Sequence, residues 1–317
     1  MLAFCGICVN KSAEAGRHSG IERRFDSAHP RLDEQLPNGD RLFALMGVTP
    51  VPMLSVRRHN FIDLVTLDQL MDSGMLDVCV RDLLEAMVVS RQNVIISGGT
   101  GVGKTTLLRA MCNVIPPDER LVVIEDSPEL GLDRFPDAHR DLVPAVQREP
   151  NIEGEGEVSI ADLTRWLLRA SPDRVICGEV RGAEVIPMLN AMTQGNQGSM
   201  CSIHANSSKA AFAKLATYAV QAPERLPLEA SNQLIAAAVN FVVHLERAPG
   251  QPKQPRFVAS IREVVGHEGS TVVSNEVLAP GPDGRAVPKT PLQPESLAAL
   301  EAAGFDPGLL EQGGWGR

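Results

Sequence analysis

The sequence has few aromatic residues and no long hydrophobic segment. Aromatic side chains make up 4% of the 317 residues, against 44% for all hydrophobic residues, so we expect an aliphatic core. No run approaches the roughly 18 apolar residues of a membrane-spanning helix. Positive charge is also scarce, since the formal net charge is −9. This balance gives no general attraction to nucleic acid or to anionic lipid.

Cysteine is sparse as well, with six residues in the chain. Cys5 and Cys8 form a C-x-x-C pair, but no second pair completes a zinc site, so reduced thiols are expected. The other four cysteines stand in apolar surroundings and are predicted to be small core residues, namely Cys79, Cys112, Cys177 and Cys201. The first residues, MLAFCGICV, lack the basic start and cleavage site of a signal peptide, which favours a cytosolic protein.

The order of hydrophobic patterns predicts an α/β fold with a mainly parallel sheet. Apolar strands alternate with helical patterns, and the predicted strands are NVIIS, LVVIED, DRVICGE and GSMCSIHA. RFVASIREVVG and STVVSNEVL are predicted to pair as antiparallel edge strands. The predicted parts of the chain are a disordered segment at 1–23, a partial α+β domain and linker at 24–75, the main domain at 76–266, and an extension with a Pro/Gly-rich linker at 267–317.

A phosphate-binding loop stands between the first apolar strand and a helix. SGGTGVGKTTLL matches G-x-x-x-x-G-K-[ST] in the strand-loop-helix context that the motif requires. Glycines let backbone N–H groups face phosphates at the helix N-terminus. Lys104 is predicted to reach the β- and γ-phosphates, and the Thr105 hydroxyl to bind Mg²⁺. The predicted nucleotide-binding residues are Gly98, Gly99, Thr100, Gly101, Val102, Gly103, Lys104, Thr105 and Thr106. The alternative is a glycine-rich turn that binds no nucleotide.

Three acidic residues at strand ends are candidates for handling Mg²⁺ and the attacking water. LVVIED ends in Glu125 and Asp126, and DRVICGE ends in Glu179. Glu179 is the preferred Walker-B residue because a mostly apolar strand leads into it. Glu179 and Asp126 are therefore predicted metal ligands, and Glu125 a catalytic helper. The alternative is that a carboxylate caps the following element.

A histidine also ends a predicted strand. His204 in CSIHANSS is expected at the same sheet edge as the acidic residues, where ligands of parallel sheets bind. This position favours a sensor of the γ-phosphate over an ordinary surface or core histidine.

Four ordered motifs together resemble the type II/type IV secretion ATPases, most closely the tight-adherence (Flp pilus) branch. These are the phosphate loop, VIEDSPEL, similar to the family's Asp box, the Walker-B region ending in DRVICGEVRG, and GSMCSIHANSS, similar to its His box. The resemblance covers roughly Arg24 to Gly266. It implies a RecA-like core with ATP and Mg²⁺ as ligands, a hexameric ring, and an N-terminal portion that swings as nucleotide turns over. It further implies partners in an inner-membrane platform and a place at the cytoplasmic face of the membrane.

The resemblance also implies arginines that reach the phosphates across the domain boundary. Arg41 and Arg57 match these positions, and Arg140 and Arg148 are weaker candidates. The alternative for each is a solvated surface charge.

Three departures from the family pattern are expected. The resemblance implies that the chain begins partway into the family's N-terminal domain, and TQGNQGS carries Asn196 and Gln197 where the family usually has His-Asp. Residues after about 267 match looser extensions and receive no role.

These observations favour an ATP-hydrolysing motor for pilus assembly or protein secretion. Alternatives are a nucleotide-binding scaffold with little turnover, a RecA-like nucleic-acid motor and, less favoured, a P-loop kinase. The acidic balance and the lack of a basic aromatic stretch argue against direct nucleic-acid binding. The sequence leaves open whether Glu125 or Glu179 is the base.

Overall fold

The computed structural model describes residues 25–36, 39–58, 64–151, 153–248, 250 and 255–311. Its strands are β1 (Arg31–Gln35), β2 (Arg41–Leu45), β3 (Met53–Arg57), β4 (Val94–Gly98), β5 (Arg120–Glu125), β6 (Asp141–Val146), β7 (Arg174–Val180), β8 (Met200–His204), β9 (Phe241–Arg247), β10 (Arg256–Glu268), β11 (Thr271–Pro280) and β12 (Ala286–Pro288). Its α-helices are α1 (Leu67–Asp72), α2 (Val78–Val89), α3 (Lys104–Cys112), α4 (Ile160–Leu167), α5 (Val185–Thr193), α6 (Ser208–Gln221), α7 (Leu228–Ala238), α8 (Pro294–Ala302) and α9 (Gly308–Glu311). In this described part, no helix combines the length and the apolar character needed to cross a bilayer.

The contacts of the chain divide it into two units. The N-terminal unit comprises Met1–Asp63, Asp126–Glu129 and Val146–Ser159, and the main unit comprises the rest. In the N-terminal unit, β1, β2 and β3 form an antiparallel sheet in that order. Its small core consists of Leu32, Leu42 and Ala44.

The main unit is built on a nine-stranded sheet in the order β12-β11-β10-β9-β4-β8-β7-β5-β6. Strands β9, β4, β8, β7 and β5 run parallel. Successive residues of β4 and β5 enter opposite core clusters, as Ile95 and Val122 enter one and Ile96 and Val123 the other. Both faces of the central strands are therefore covered, which explains their continuous apolar sequences.

Side-chain caps mark the N-termini of the first two helices. Thr66 and Gln69 form a capping box at α1, and the Asp77 side chain accepts from Val80 N at the start of α2. The predicted α/β fold and parallel strands are confirmed, and so is the antiparallel pairing of β10 with β11. The four later cysteines are buried in the core as predicted.

The structure differs from the predicted domain boundaries. Residues 64–75 group with the main unit instead of with the N-terminal part, and 267–311 pack within the same unit instead of forming a separate extension. Leu292, Leu300 and Phe305 lie in the main core because β11 and β12 extend the central sheet. Residues 1–23, with Cys5 and Cys8, lie outside the described residues, and so does most of the C-terminal tail.

A buried arginine connects several segments at the edge of the main sheet that lies away from the phosphate loop. The Arg174 side chain is 1% exposed, donates twice to Glu119 at 2.7 and 2.9 Å, and donates to the Val88 carbonyl at 2.7 Å. Gly198 lies against it with φ +86°, and a Cβ there would be 2.6 Å from Arg174 Nη1. The unusual Asn196 and Gln197 precede β8 at this edge, which is the edge away from the carboxyl strand ends.

We predict that Gly198→Ala lowers the free energy of unfolding by about 1–3 kcal/mol more than Gly195→Ala, because overpacking adds to backbone strain. Gly195 is the matched control, since it has φ +103° but open space around the added Cβ. Urea unfolding of both variants measures the difference. Equal losses would show that backbone conformation alone sets the cost.

Two buried histidines make stability depend on pH. His139 and His244 are 4% and 3% exposed, and burial lowers the pKa of each imidazole. The unfolded chain, with an ordinary histidine pKa near 6.5, binds more protons than the folded chain just below that pH. We therefore expect full stability above about pH 6.5 and a loss as pH falls, by up to about 1.4 kcal/mol per pH unit for each histidine.

Urea midpoints at pH 7.5, 6.5 and 5.5 check this dependence. His139→Gln should flatten it, because the glutamine side chain does not titrate. Glutamine can still donate to Asn113 Oδ1, which lies 2.8 Å from His139 Nε2, so the variant keeps this contact. His267→Gln, at an exposed position on β10, is the control. If the urea midpoint of His139→Gln depends on pH as steeply as that of the native chain, His139 does not contribute to the pH dependence.

Candidate nucleotide site

The loop between β4 and α3 has a backbone that glycine alone adopts easily. Gly98, Gly101 and Gly103 have φ of +154°, +71° and +103°. A Cβ on Gly98 would stand 2.7 Å from the Leu245 carbonyl oxygen, and one on Gly103 would stand 2.9 Å from Met75 Cε. Conformation favours glycine at all three positions, and at Gly98 the backbone of Leu245 also leaves no room for a side chain.

The other predicted loop residues are less constrained. A Cβ on Gly99 would meet Val102 Cγ1 at 3.8 Å, which is ordinary van der Waals contact. Val102 is buried and Thr100 is exposed. Thr105 and Thr106 are half-buried in the first turn of α3.

Lys104, the first residue of α3, folds back over the loop. Its Nζ donates to the carbonyls of Gly98 and Gly99 at 3.1 and 3.0 Å. The same atom lies 3.2 Å from His204 Nδ1. With Gly103 at the N-cap, α3 has no side-chain cap, so its first N–H groups and this ammonium present positive charge together.

His204 connects Lys104 to Glu179. His204 Nε2 is 2.7 Å from Glu179 Oε1, and Arg181 donates to Glu179 Oε2 from Nε at 2.9 Å and from Nη2 at 2.6 Å. The structure thus brings the predicted residues Lys104, His204 and Glu179 into one contact chain, and adds Arg181.

The imidazole of His204 is held towards its neutral form. Burial lowers its pKa most; the charge of Glu179 raises it, and the charges of Lys104 and Arg181 lower it further. Lys104 Nζ lies 3.2 Å from Nδ1 and 3.4 Å from Nε2, so the ammonium faces both ring nitrogens. Nε2 also lies 2.7 Å from Glu179 Oε1, an oxygen that has no hydrogen-bond partner among the described residues.

Glu125 makes different contacts from the residues of this contact chain. It is 6% exposed, its Oε1 accepts from Leu130 N at 2.9 Å, and its Cγ is 3.1 Å from where a Cβ of Gly178 would lie. This carboxylate is packed into the structure, whereas Glu179 is more open, with a side chain 14% exposed.

The remaining predicted acidic and basic residues belong mostly to the N-terminal unit. Arg41 donates to both oxygens of Asp33 at 3.0 and 3.1 Å, and its Nη1 lies 3.9 Å from Asp126 Oδ2. Arg57, 63% exposed, donates to Glu129 at 3.0 Å. Asp126 as a metal ligand and both arginines as phosphate contacts stay predictions.

The weaker arginine candidates make local contacts. Arg140 pairs with Asp118 in the main unit, and its side chain is 63% exposed. Arg148 donates to the Gly156 carbonyl at 2.6 Å in the N-terminal unit. Neither contact distinguishes a phosphate role from an ordinary surface position.

The donor set fits a polyphosphate with Mg²⁺ better than a metal alone. In the described ranges, no group of three or more His, Cys, Asp or Glu side chains is placed to hold a metal ion. Thr105 and Glu179 stay the predicted oxygen ligands, and Mg²⁺ commonly takes its other ligands from phosphate and water. The loop glycines that a Cβ would block, with Lys104 beside them, make the phosphate part of such a site.

Three residues around the site are not predicted from the sequence. Arg181 donates to the Glu179 carboxylate. Glu184 accepts from the backbone N–H of Arg181 and from that of Gly182, the latter at 2.9 Å. Arg247 donates to the Gly101 carbonyl at 2.6 Å. The run GEVRGAE contains the first two as charged residues just after a strand end, but nothing local marks Arg247.

Comparison with known proteins gives a consistent result. Residues 19–277 match the family model described as type II/IV secretion system protein. A putative conjugal transfer protein of Mycobacterium tuberculosis is 36% identical over 261 residues, covering 79% of this chain and 71% of that protein. Conjugal transfer protein TrbB of Rhizobium radiobacter is 31% identical over 258 residues, covering 78% and 71%.

Solved structures agree on the fold. The ATPase DotB of Legionella pneumophila aligns with a TM-score of 0.55 at 19% identity, covering 78% of this chain and 67% of that one. The predicted assignment to the tight-adherence branch is not distinguished by these relatives. The family match and the two conjugal transfer relatives show that the chain belongs to the type II/IV secretion system protein family.

Proposed function

We propose that this chain is an ATP-hydrolysing motor subunit of a secretion or pilus-assembly system. The observation that carries the proposal is the contact chain from Lys104 through His204 to Glu179, beside a loop shaped for phosphates. Such a chain connects the phosphate-binding residue to the carboxylate that handles water. Membership in the family and the conjugal transfer relatives support an ATPase in general.

In this proposal, Lys104 leaves the loop carbonyls and donates to the β- and γ-phosphates, while the N–H groups of α3 face the same oxygens. Thr105 and Glu179 are the residues that would hold Mg²⁺, which would supply further neutralisation of phosphate charge. Glu179 orients the attacking water, and His204 senses whether Lys104 is engaged by phosphate. Positioning and charge stabilisation supply most of the rate, and Glu125 supports the strand end.

The finer parts of the proposal concern assembly. Arg41 and Arg57 contribute phosphate contacts from the N-terminal unit in a homo-oligomeric, hexameric ring. The ring works at the cytoplasmic face of the membrane with inner-membrane platform proteins, either in protein secretion or in pilus assembly of the tight-adherence kind. Asp126 serves as a second candidate Mg²⁺ ligand.

We predict that Lys104→Ala lowers steady-state ATP hydrolysis at least about 100-fold, because a charge that stabilises the transition state is removed. Activity per protomer of the native chain should rise with protein concentration if the ring completes the site. Phosphate release measured over a wide range of protein concentrations checks both expectations.

Lys289→Ala is the matched control, since Lys289 is 57% exposed and pairs with Glu276 on the surface. Its activity should stay near the native value. A native chain that binds nucleotide yet hydrolyses no faster than Lys104→Ala at every concentration would favour a scaffold. Strong stimulation by DNA would favour a nucleic-acid motor.

The two glutamates should separate into different roles. We predict that Glu179→Gln lowers kcat by about 100-fold or more while nucleotide affinity stays close to native, because water is no longer oriented. Glu125→Gln should instead lower the free energy of unfolding by about 1–3 kcal/mol, because a buried acceptor is altered, with a smaller loss in kcat.

Single-turnover hydrolysis, equilibrium nucleotide binding and urea unfolding of both variants give the three readouts. An undiminished stability in Glu125→Gln together with the larger loss of kcat would reverse the assignment of the base.

A further inference from the structure

Two arginines lie across from each other on the β9–β10 side of the phosphate loop. Arg247 at the end of β9 is in register with Arg256 at the start of β10. Gly98, the last residue of β4, is in register with Leu245 of β9. Arg247 lies two residues further along β9, so it is level with the loop that follows β4. The sheet order puts β9 and β8 on opposite sides of β4, so these arginines lie on the side away from His204.

Both side chains approach the loop itself. Arg247 Nη2 donates to the Gly101 carbonyl at 2.6 Å, so this guanidinium holds the outer turn of the loop. Arg256 Cδ is 3.6 Å from the position that a Cβ of Gly103 would take. Gly103 is the N-cap of α3, directly before Lys104.

The charge of this pair is not balanced by nearby acid. Among the described residues, neither Arg247 nor Arg256 forms an ion pair, and Arg247 Nε is buried without a hydrogen-bond partner. The adjacent Glu246 is not directed to them, since its Oε1 lies 3.5 Å from His244 Nε2. Like charges placed directly opposite on neighbouring strands destabilise a sheet, so a bound anion would relieve this arrangement.

We propose that Arg247 and Arg256 form a second phosphate contact for the bound nucleoside triphosphate. Arg247 is a positioning residue that holds the loop through Gly101, and Arg256 binds the phosphates on the side opposite His204 and Glu179. This inference rests on the proposed nucleotide site and adds two residues from the β9–β10 side of the sheet to it.

Equilibrium binding of a fluorescent ATP analogue to the full chain tests the proposal. Arg256→Gln is expected to weaken binding by about tenfold or more, the effect of losing a charged hydrogen bond. Arg256→Lys should restore part of the affinity because it keeps the charge. Arg247→Gln should weaken binding as well, through the loop.

Arg169→Gln is the matched control. Arg169 is exposed, carries the same charge and precedes β7, at the edge of the sheet away from the loop. Affinity within twofold of native is expected for it. Thermal unfolding midpoints of all variants show whether each remains folded, and Arg256, being exposed, is the variant least able to disturb the fold.

The outcomes separate this inference from the proposed function. If Lys104→Ala loses affinity while Arg256→Gln and Arg247→Gln bind as tightly as Arg169→Gln, the arginine contact is overturned and the nucleotide site stands. If the native chain binds no analogue, the proposed function fails and the inference fails with it.

Discussion

The site depends on the parallel register of β4 with β8. This register sets Gly98 opposite His204, so the residue that starts the phosphate loop and the histidine that ends the neighbouring strand share one level of the sheet. Lys104, six residues on, can then place its ammonium on both the loop carbonyls and the imidazole. A slip of one residue would turn His204 to the other face of the sheet and break the chain to Glu179.

Charge in the site is balanced in a way that depends on histidine staying neutral. A protonated His204 would stand about 3 Å from the ammonium of Lys104, where like charges repel strongly in a partly buried place. Burial and the neighbouring cations disfavour this form because they lower the imidazole pKa, although the charge of Glu179 acts in the other direction. Glu179 therefore has the Arg181 guanidinium on Oε2 and the His204 ring 2.7 Å from Oε1, which forms no hydrogen bond among the described residues.

Features that the sequence predicts well are those written in short stretches of chain. The phosphate loop follows from glycine spacing, and the buried strands follow from continuous apolar runs between helical patterns. The contact of Arg181 with Glu179 is not predicted by the local sequence, because it depends on a side chain two residues later folding back onto the carboxylate. The contacts of Arg174 with Gly198 and of Arg247 with Gly101 join residues far apart in sequence, so they depend on register that no local pattern states. The packing of Leu300 and Phe305 in the core was missed for the same reason.

The two neighbouring strand ends show how burial separates residues of the same chemistry. Glu125 and Glu179 each end or nearly end a parallel strand, and β5 and β7 are adjacent. Gly178 leaves room for the Glu125 side chain, whose carboxylate is fixed by Leu130 N. Glu179, one residue later on β7, alternates to the other direction and meets His204 and Arg181 instead. The proposed phosphate loop is thus joined to β7 and β8 through Lys104 and His204, and to β9 through Arg247. A change in what Lys104 contacts would consequently reach β8 and β7, while a change in the backbone at Gly101 would reach β9, and coupling of this kind is what a motor requires.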